Sequence, residues 1–238
     1  MRAAVITAPP QLEVTELPDP EPVAGEVVVK VTGCGICGSD LHTASKMSGP
    51  GTVLGHEIAG VVDEVGAGVS DWSVGDAVAV RPFSGCGACD WCRAGRADHC
   101  VSFELIGMQR PGGFAERVAA RADELWALPS KVHAGDQPLV EPFAVARRGL
   151  RRAGLRPGDD VIVTGAGPIG LAVTHWARAL GAGRIIVSDP LEQRRELALA
   201  LGADEAVHPD DVRGRTAPVV VECSGRGGLI DQAMQLAS

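Results

Sequence analysis

The chain predicts an α/β protein in two successive parts, a compact barrel-like β domain followed by a parallel sheet with crossover helices. Three observations predict it. Short Val-rich runs parted by Gly, Pro and Asp fill the chain up to about Leu128, strands alternate with helices from Asp136 onward, and an apolar strand runs into a glycine-patterned turn at 165–170.

In the first part the runs at 3–7, 12–17, 26–32, 57–65, 76–80 and 115–119 are read as strands, and the Pro- and acid-rich stretch 18–22 as a surface turn. In the second part 138–154 is read as a helix. Strands follow at 160–164, 184–188, near 205–208 and at 218–222. The change of pattern puts the domain boundary within 144–156, giving domains 1–146 and 147–238. A full dinucleotide-binding sheet has six strands in the order 3-2-1-4-5-6. Four are countable before Ser238, so the second domain is expected to be incomplete, short of two βα units.

Composition narrows the classes. A chain of 238 residues with 45% hydrophobic and 22% charged residues is an ordinary globular protein long enough for two cores. A net charge of -8 argues against nucleic acid or an anionic membrane as partner. No apolar run spans a bilayer and the first residues lack a signal-peptide core, so the expected location is the cytoplasm. Seven cysteines, an odd number with four packed between 86 and 100, point to metal rather than to a disulfide framework.

The glycine turn carries the first functional reading. Gly165 allows a tight turn, Gly167 lets the backbone approach a pyrophosphate, and Gly170 permits close helix–strand packing. With Pro168 and Ile169 these residues form the cofactor-loop candidates, at the start of a helix whose free N–H groups favour a diphosphate. The next strand ends in Asp189, about 20 residues on, placed to accept the adenosine ribose hydroxyls. A carboxylate there opposes the extra phosphate of NADP and so selects NAD. Arg194, a further candidate beside the cofactor, and Arg195 offset this only by reaching back; otherwise they form a solvated helix face.

Two metal constellations stand out. Cys86, Cys89, Cys92 and Cys100 supply four thiolates from one short segment turned by Gly85, Gly87 and Gly95, which suits closed tetrahedral zinc of structural role; iron–sulfur or unmetallated thiols are the alternatives. His99 is then a bystander. The second constellation is dispersed over Cys37, His56, Glu57 and Glu141. Taken singly, a Cys in a β domain is more often a small buried hydrophobe, and a His a hydrogen-bonded structural residue.

The ordered set Gly35-Ile36-Cys37-Gly38-Ser39-Asp40-Leu41-His42, Gly55-His56-Glu57, the four-cysteine lobe, Glu141-Pro142 and the glycine turn resembles the zinc-dependent medium-chain alcohol dehydrogenases. Within them it is most similar to the sorbitol, butanediol and threonine dehydrogenase branch, which has Glu-Pro where liver-type enzymes place a cysteine. The resemblance covers the whole chain and implies a GroES-like β-barrel catalytic domain followed by a partial Rossmann-type domain. It implies two zinc ions per chain, one structural and one catalytic, and NAD. Cys37 and His56 are then catalytic-zinc ligands, with Glu57 or Glu141 and a water completing the shell, and Asp40 accepts the His56 ring N–H.

The implied reaction is hydride transfer between a secondary alcohol or polyol and NAD. Zinc acidifies the hydroxyl, Ser39 accepts the proton, His42 passes it towards solvent, and the hydride goes to a nicotinamide at the domain cleft. The bland readings are a helix N-cap for Ser39 and an exposed helical residue for His42. Phe83, Phe103, Leu105 and Phe143 line the cleft or belong to the core. The partner is a small molecule, and a homo-oligomer is left open. Two rivals follow: a truncated, inactive zinc- and nucleotide-binding fragment of such an enzyme, and a zinc-free NADPH quinone reductase of the same superfamily.

Overall fold

A computed structural model describes residues 1–46 and 49–238. It divides into two units, Met1–Glu141 and Pro142–Ser238. The division falls a few residues before the expected end of the first domain.

In the first unit β1 (Arg2–Ala8) and β2 (Gln11–Glu16) form an antiparallel hairpin. β3 (Glu26–Gly35) leads into α1 (Gly38–Lys46), then β4 (Glu57–Val65) and β5 (Ala77–Val80) follow. The short strands β6 (Phe83–Ser84) and β7 (Glu104–Leu105) pair at the base of a cysteine-rich lobe that contains the single-turn helix α2 (Asp90–Arg93). β8 (Arg117–Arg121) and β9 (Leu125–Ala127) complete a five-stranded antiparallel sheet in the order β8-β3-β4-β5-β9. Isolated bridges from Ala3 to Ala115 and from Val5 to Val53 tie the hairpin to neighbouring segments, giving the expected barrel-like β domain.

The core of this unit follows from strand alternation. Val27 and Val29 on β3, Ile58 and Val62 on β4, and Val78 and Val80 on β5 point to one face and pack with Ile106, Val118 and Leu125. Ile6, Ala44 and Leu54 form a separate small cluster against Phe114, which anchors α1.

The helix expected at 138–154 is present as a single element with a slightly later start and earlier end. Residues Ala134–Leu139 form 3-10 turns and α3 begins only at Val140, running to Arg152. Pro138 lies inside the 3-10 segment and sits against Gly33, where a Cβ would approach the Pro138 ring to 2.8 Å. Glu141 lies in the first turn of α3 and Arg151 and Arg152 in the last, the charge order that suits the helix dipole.

The second unit contains β10 (Val161–Thr164), α4 (Pro168–Ala179), β11 (Ile185–Ser188), α5 (Glu192–Ala200), β12 (Glu205–Val207), β13 (Val219–Glu222) and α6 (Leu229–Leu236). Its four strands are parallel, in the order β12-β11-β10-β13. Both faces are buried: Val161 and Val163 enter one core cluster and Ile162 the other, which is why the strand reads as an unbroken apolar run. The strand order reverses beside β10, because the chain passes outward through β11 and β12 before returning to β13. In sheets of this kind the crevice beyond the carboxyl ends at that reversal takes the ligand.

Among the described residues, no helix is long and apolar enough to cross a membrane.

Candidate functional site

The four-cysteine lobe is built by its glycines. Gly87 and Gly95 have φ of +70° and +72°, and a Cβ on Gly85 would approach Cys92 Sγ to 2.6 Å. The sulfurs of Cys86, Cys89, Cys92 and Cys100 all lie within 4.8 Å of one another, and Cys89 and Cys100 are 3.8 Å apart. A regular tetrahedron with Zn–S of about 2.3 Å has edges of about 3.8 Å, so the spacing fits zinc. The amides of Cys86 and Ser102 donate to Cys100 Sγ at 3.1 and 3.3 Å, and that of Cys89 to Cys86 Sγ at 3.3 Å, contacts that favour thiolates. The amide of Cys92 holds the Cys89 thiol down at about 6, whereas desolvation and the neighbouring sulfurs push Cys92 up to about 12. A cation removes that conflict.

His99 stands aside from the sulfurs. Its Nε2 is 2.6 Å from the Arg96 guanidinium and its ring is 5.2 Å from that of Trp91.

The base of the lobe is held by a charged network that the sequence reading missed. Arg121 donates to the Gly85 carbonyl at 3.0 Å, its amide donates to Glu124 Oε2 at 2.9 Å, and Arg110 Nη2 lies 2.6 Å from Glu124 Oε1. Glu124 is wholly buried. Phe83 and Phe103 stack on each other here, with centroids 5.7 Å apart, and Leu105 sits on β7. Phe143, in the other unit, packs against His175 and Trp176.

The dispersed set converges. Ligand atoms of Cys37, His56 and Glu57 lie within 4.8 Å of one another. Cys37 comes from the turn between β3 and α1, His56 directly precedes β4, and Glu57 is its first residue. Gly55, at φ +95°, turns the chain before His56; a Cβ there would meet the Phe114 ring at 2.6 Å and Cys34 Sγ at 2.9 Å. Cys34 itself stays outside the metal group, with burial pushing its thiol up to about 12.

Asp40 sets the ring. Its Oδ1 is 3.3 Å from His56 Nδ1 and accepts the Gly55 amide at 3.4 Å, while its Oδ2 accepts the Cys37 amide at 2.9 Å. Burial pushes the Asp40 carboxyl up, but the hydrogen bonds to His56 and these amides prevail and hold it below the ordinary range. Asp40 and then Cys37 raise His56 to about 10, and the His56 hydrogen bond lowers the Cys37 thiol. The ring is thus fixed at Nδ1, and its Nε2 faces Ser39 Oγ at 3.5 Å. A thiolate, an imidazole and a buried acid form a donor set that suits zinc, which replaces the proton the first two share.

Both candidate acids are raised by desolvation. Glu57 joins the metal group, whereas Glu141 is coupled electrostatically to His56 and Glu57 without belonging to it. Ser39 and His42 are both exposed on α1, three residues apart and so on one face of the helix.

In the second unit Gly165 has φ +93° and a Cβ on it would lie 2.8 Å from the Ser224 amide nitrogen, while one on Gly170 would overlap the Gly165 carbonyl oxygen. Gly167 is the N-cap of α4 with open space where its Cβ would stand, Pro168 takes the first turn, and Ile169 packs on the core. Asp189 is buried, and its two oxygens accept the amides of Ala166 at 2.8 Å and Leu191 at 2.9 Å. It is therefore prefixed at the glycine turn. Arg194 does reach back, its Nη1 3.7 Å from Asp189 Oδ2, while Arg195 binds the Asp189 and Pro190 carbonyls.

The loop after β13 also belongs to this crevice and was missed. Ser224 stands against Gly165, and its amide donates to Glu222 Oε1 at 2.7 Å. The signal was present: Cys223-Ser224-Gly225 follows a Val-rich strand at the point where strand order reverses.

Comparison with known proteins places the chain in a family. Residues 23–130 match the alcohol dehydrogenase GroES-like domain and residues 168–238 the zinc-binding dehydrogenase domain. The chain is 41% identical to L-threonine 3-dehydrogenase of Saccharopolyspora erythraea over 87% of its own length and 62% of that protein. Among solved structures, an alcohol dehydrogenase from Escherichia coli CFT073 complexed with NADH is 34% identical, with a TM-score of 0.92, covering all of this chain and 73% of that one. A zinc-binding dehydrogenase from Sinorhizobium meliloti 1021 bound to NADP is 33% identical, with a TM-score of 0.94 and the same coverage.

Proposed function

This chain belongs to the zinc-binding alcohol dehydrogenase family, and from that premise we propose that it interconverts a secondary alcohol or polyol and the corresponding ketone with a nicotinamide dinucleotide. The convergence of Cys37, His56 and Glu57 within 4.8 Å is the observation that carries the reading.

Cys37, His56 and Glu57 would hold the catalytic zinc, with Glu141 the nearby second acid, and Cys86, Cys89, Cys92 and Cys100 a structural one. When bound, zinc supplies the charge that lowers the pKa of the substrate hydroxyl, and the dinucleotide supplies the hydride acceptor. Ser39 takes the hydroxyl proton, from a position already beside His56 Nε2. His42, exposed on the same face of α1, delivers it to solvent. Asp40 keeps the His56 ring on the metal side by occupying Nδ1.

Gly165, Gly167, Pro168, Ile169 and Gly170 would hold the dinucleotide, with the free N–H groups at the start of α4 available to its diphosphate and Asp189 to its ribose hydroxyls. NAD is the favoured form because the Asp189 side chain is buried and held by two backbone amides. Arg194 beside that carboxylate weakens the exclusion of NADP, so NADP serves as the poorer cofactor. The enzyme is read as cytoplasmic, where its cysteines stay reduced.

Metal analysis of the purified protein together with a panel of polyols and amino alcohols, each with NAD and NADP, tests the proposal. Two zinc ions per chain with turnover are expected. One zinc with Cys37 unmetallated favours the zinc-free quinone reductase, and two zinc ions without turnover favour a binding fragment.

A further inference from the structure

We propose that Gly35 is the positioning residue for the acidic arm of the dispersed metal centre: the missing side chain at this position lets the Glu57 carboxylate lie beside Cys37 and His56. The inference rests on the zinc assignment above and adds to it a residue that neither touches the metal nor bends the chain.

Gly35 and Glu57 are direct partners in the antiparallel β3–β4 ladder. Side chains of directly opposed residues leave the same face, with Cβ atoms ordinarily about 4.5–5.5 Å apart. Here a Cβ on Gly35 would lie 3.0 Å from both the Cβ and the Cδ of Glu57 and would overlap its Oε2. Glu57 has folded across the volume that any other residue at 35 would occupy. Gly35 is not among the glycines of positive φ, so backbone conformation does not explain it. Cys37 follows two residues later, just past the end of β3, and the folded carboxylate ends in the cluster it forms with Cys37 and His56.

An alanine at 35 therefore drives the carboxylate off its place without changing any ligand. Glu141, half-buried and electrostatically linked to His56 and Glu57, is the acid left nearby.

The experiment uses the full chain and four proteins: wild type, Gly35→Ala, Glu57→Ala and the double variant. Zinc affinity is read by chelator competition, the Cys37 centre by its cobalt(II) visible spectrum, and folding by thermal denaturation. Gly35→Ala is expected to lose zinc affinity at the Cys37 centre by at least about tenfold and to shift the cobalt spectrum, while the four-cysteine zinc is retained. In the Glu57→Ala background the same change should add less than about twofold, because the group it displaces has gone. Wild-type affinity in Gly35→Ala, or a full additive loss in the double variant, overturns the proposal. Should Gly35→Ala fail to fold, recovery of folding in the double variant supports it and failure of both overturns it. Wild-type protein with one zinc per chain overturns the zinc assignment itself, and this inference with it.

Discussion

Asp40 binds His56 Nδ1 through one oxygen, at 3.3 Å, and the Cys37 amide through the other, at 2.9 Å. One buried carboxylate thus aims the imidazole and seats the residue that bears the thiolate.

Asp40→Asn keeps only one acceptor oxygen, so either the His56 ring N–H or the Cys37 amide is left facing an NH2 donor. Zinc affinity at the Cys37 centre is expected to fall by about 10–100-fold while the four-cysteine site is unchanged. Chelator competition with the two zinc ions counted separately checks this.

The protonation of His56 gives zinc binding a pH dependence. Its folded pKa of about 10 lies above the ordinary 6.5, so at neutral pH the metal must displace a proton. Below 10 the affinity rises about tenfold per pH unit for that proton. The linkage in the metal-free protein has the opposite direction: the raised pKa contributes stability fully present below about 6.5 and lost as pH rises through about 10. Zinc titrations between pH 6 and 8 and urea melts of chelated protein between pH 6 and 10 check the two signs.

Arg110→Met leaves Glu124, wholly buried, without its cation. Removing one partner of a buried pair costs about 3–5 kcal/mol. Urea denaturation should show that loss, with the zinc content unchanged at the start of the transition.

Arg194→Ala removes the cation beside Asp189 and leaves the carboxylate to face a 2′-phosphate alone. The specificity constant with NADP should fall about tenfold, the worth of one charge-assisted contact of roughly 1.4 kcal/mol, and change less with NAD. Gly170→Ala, whose Cβ overlaps the Gly165 carbonyl, should abolish binding of both, as read by cofactor fluorescence.

What the sequence determined by itself is the local chemistry. The four cysteines sit within one short segment, so only short loops have to close to bring their sulfurs together. The glycine turn and the Val-rich strands are equally local, and their places in the fold follow from period and turn geometry. The helix start was less legible, because Pro138 and Leu139 still belong to the 3-10 segment and α3 begins at Val140.

Only the tertiary structure decided which residues of the dispersed set come together. Cys37 and His56 lie 19 residues apart in the sequence, on either side of α1, and they meet because the register of β3 on β4 sets Gly35 opposite Glu57. That register is a choice among long-range pairings driven by burial of Val27, Val29, Ile58 and Val62, and no single stretch of chain encodes it. The choice between Glu57 and Glu141, the reach of Arg194 and the Arg110–Glu124 pair likewise depend on which surfaces the core brings together.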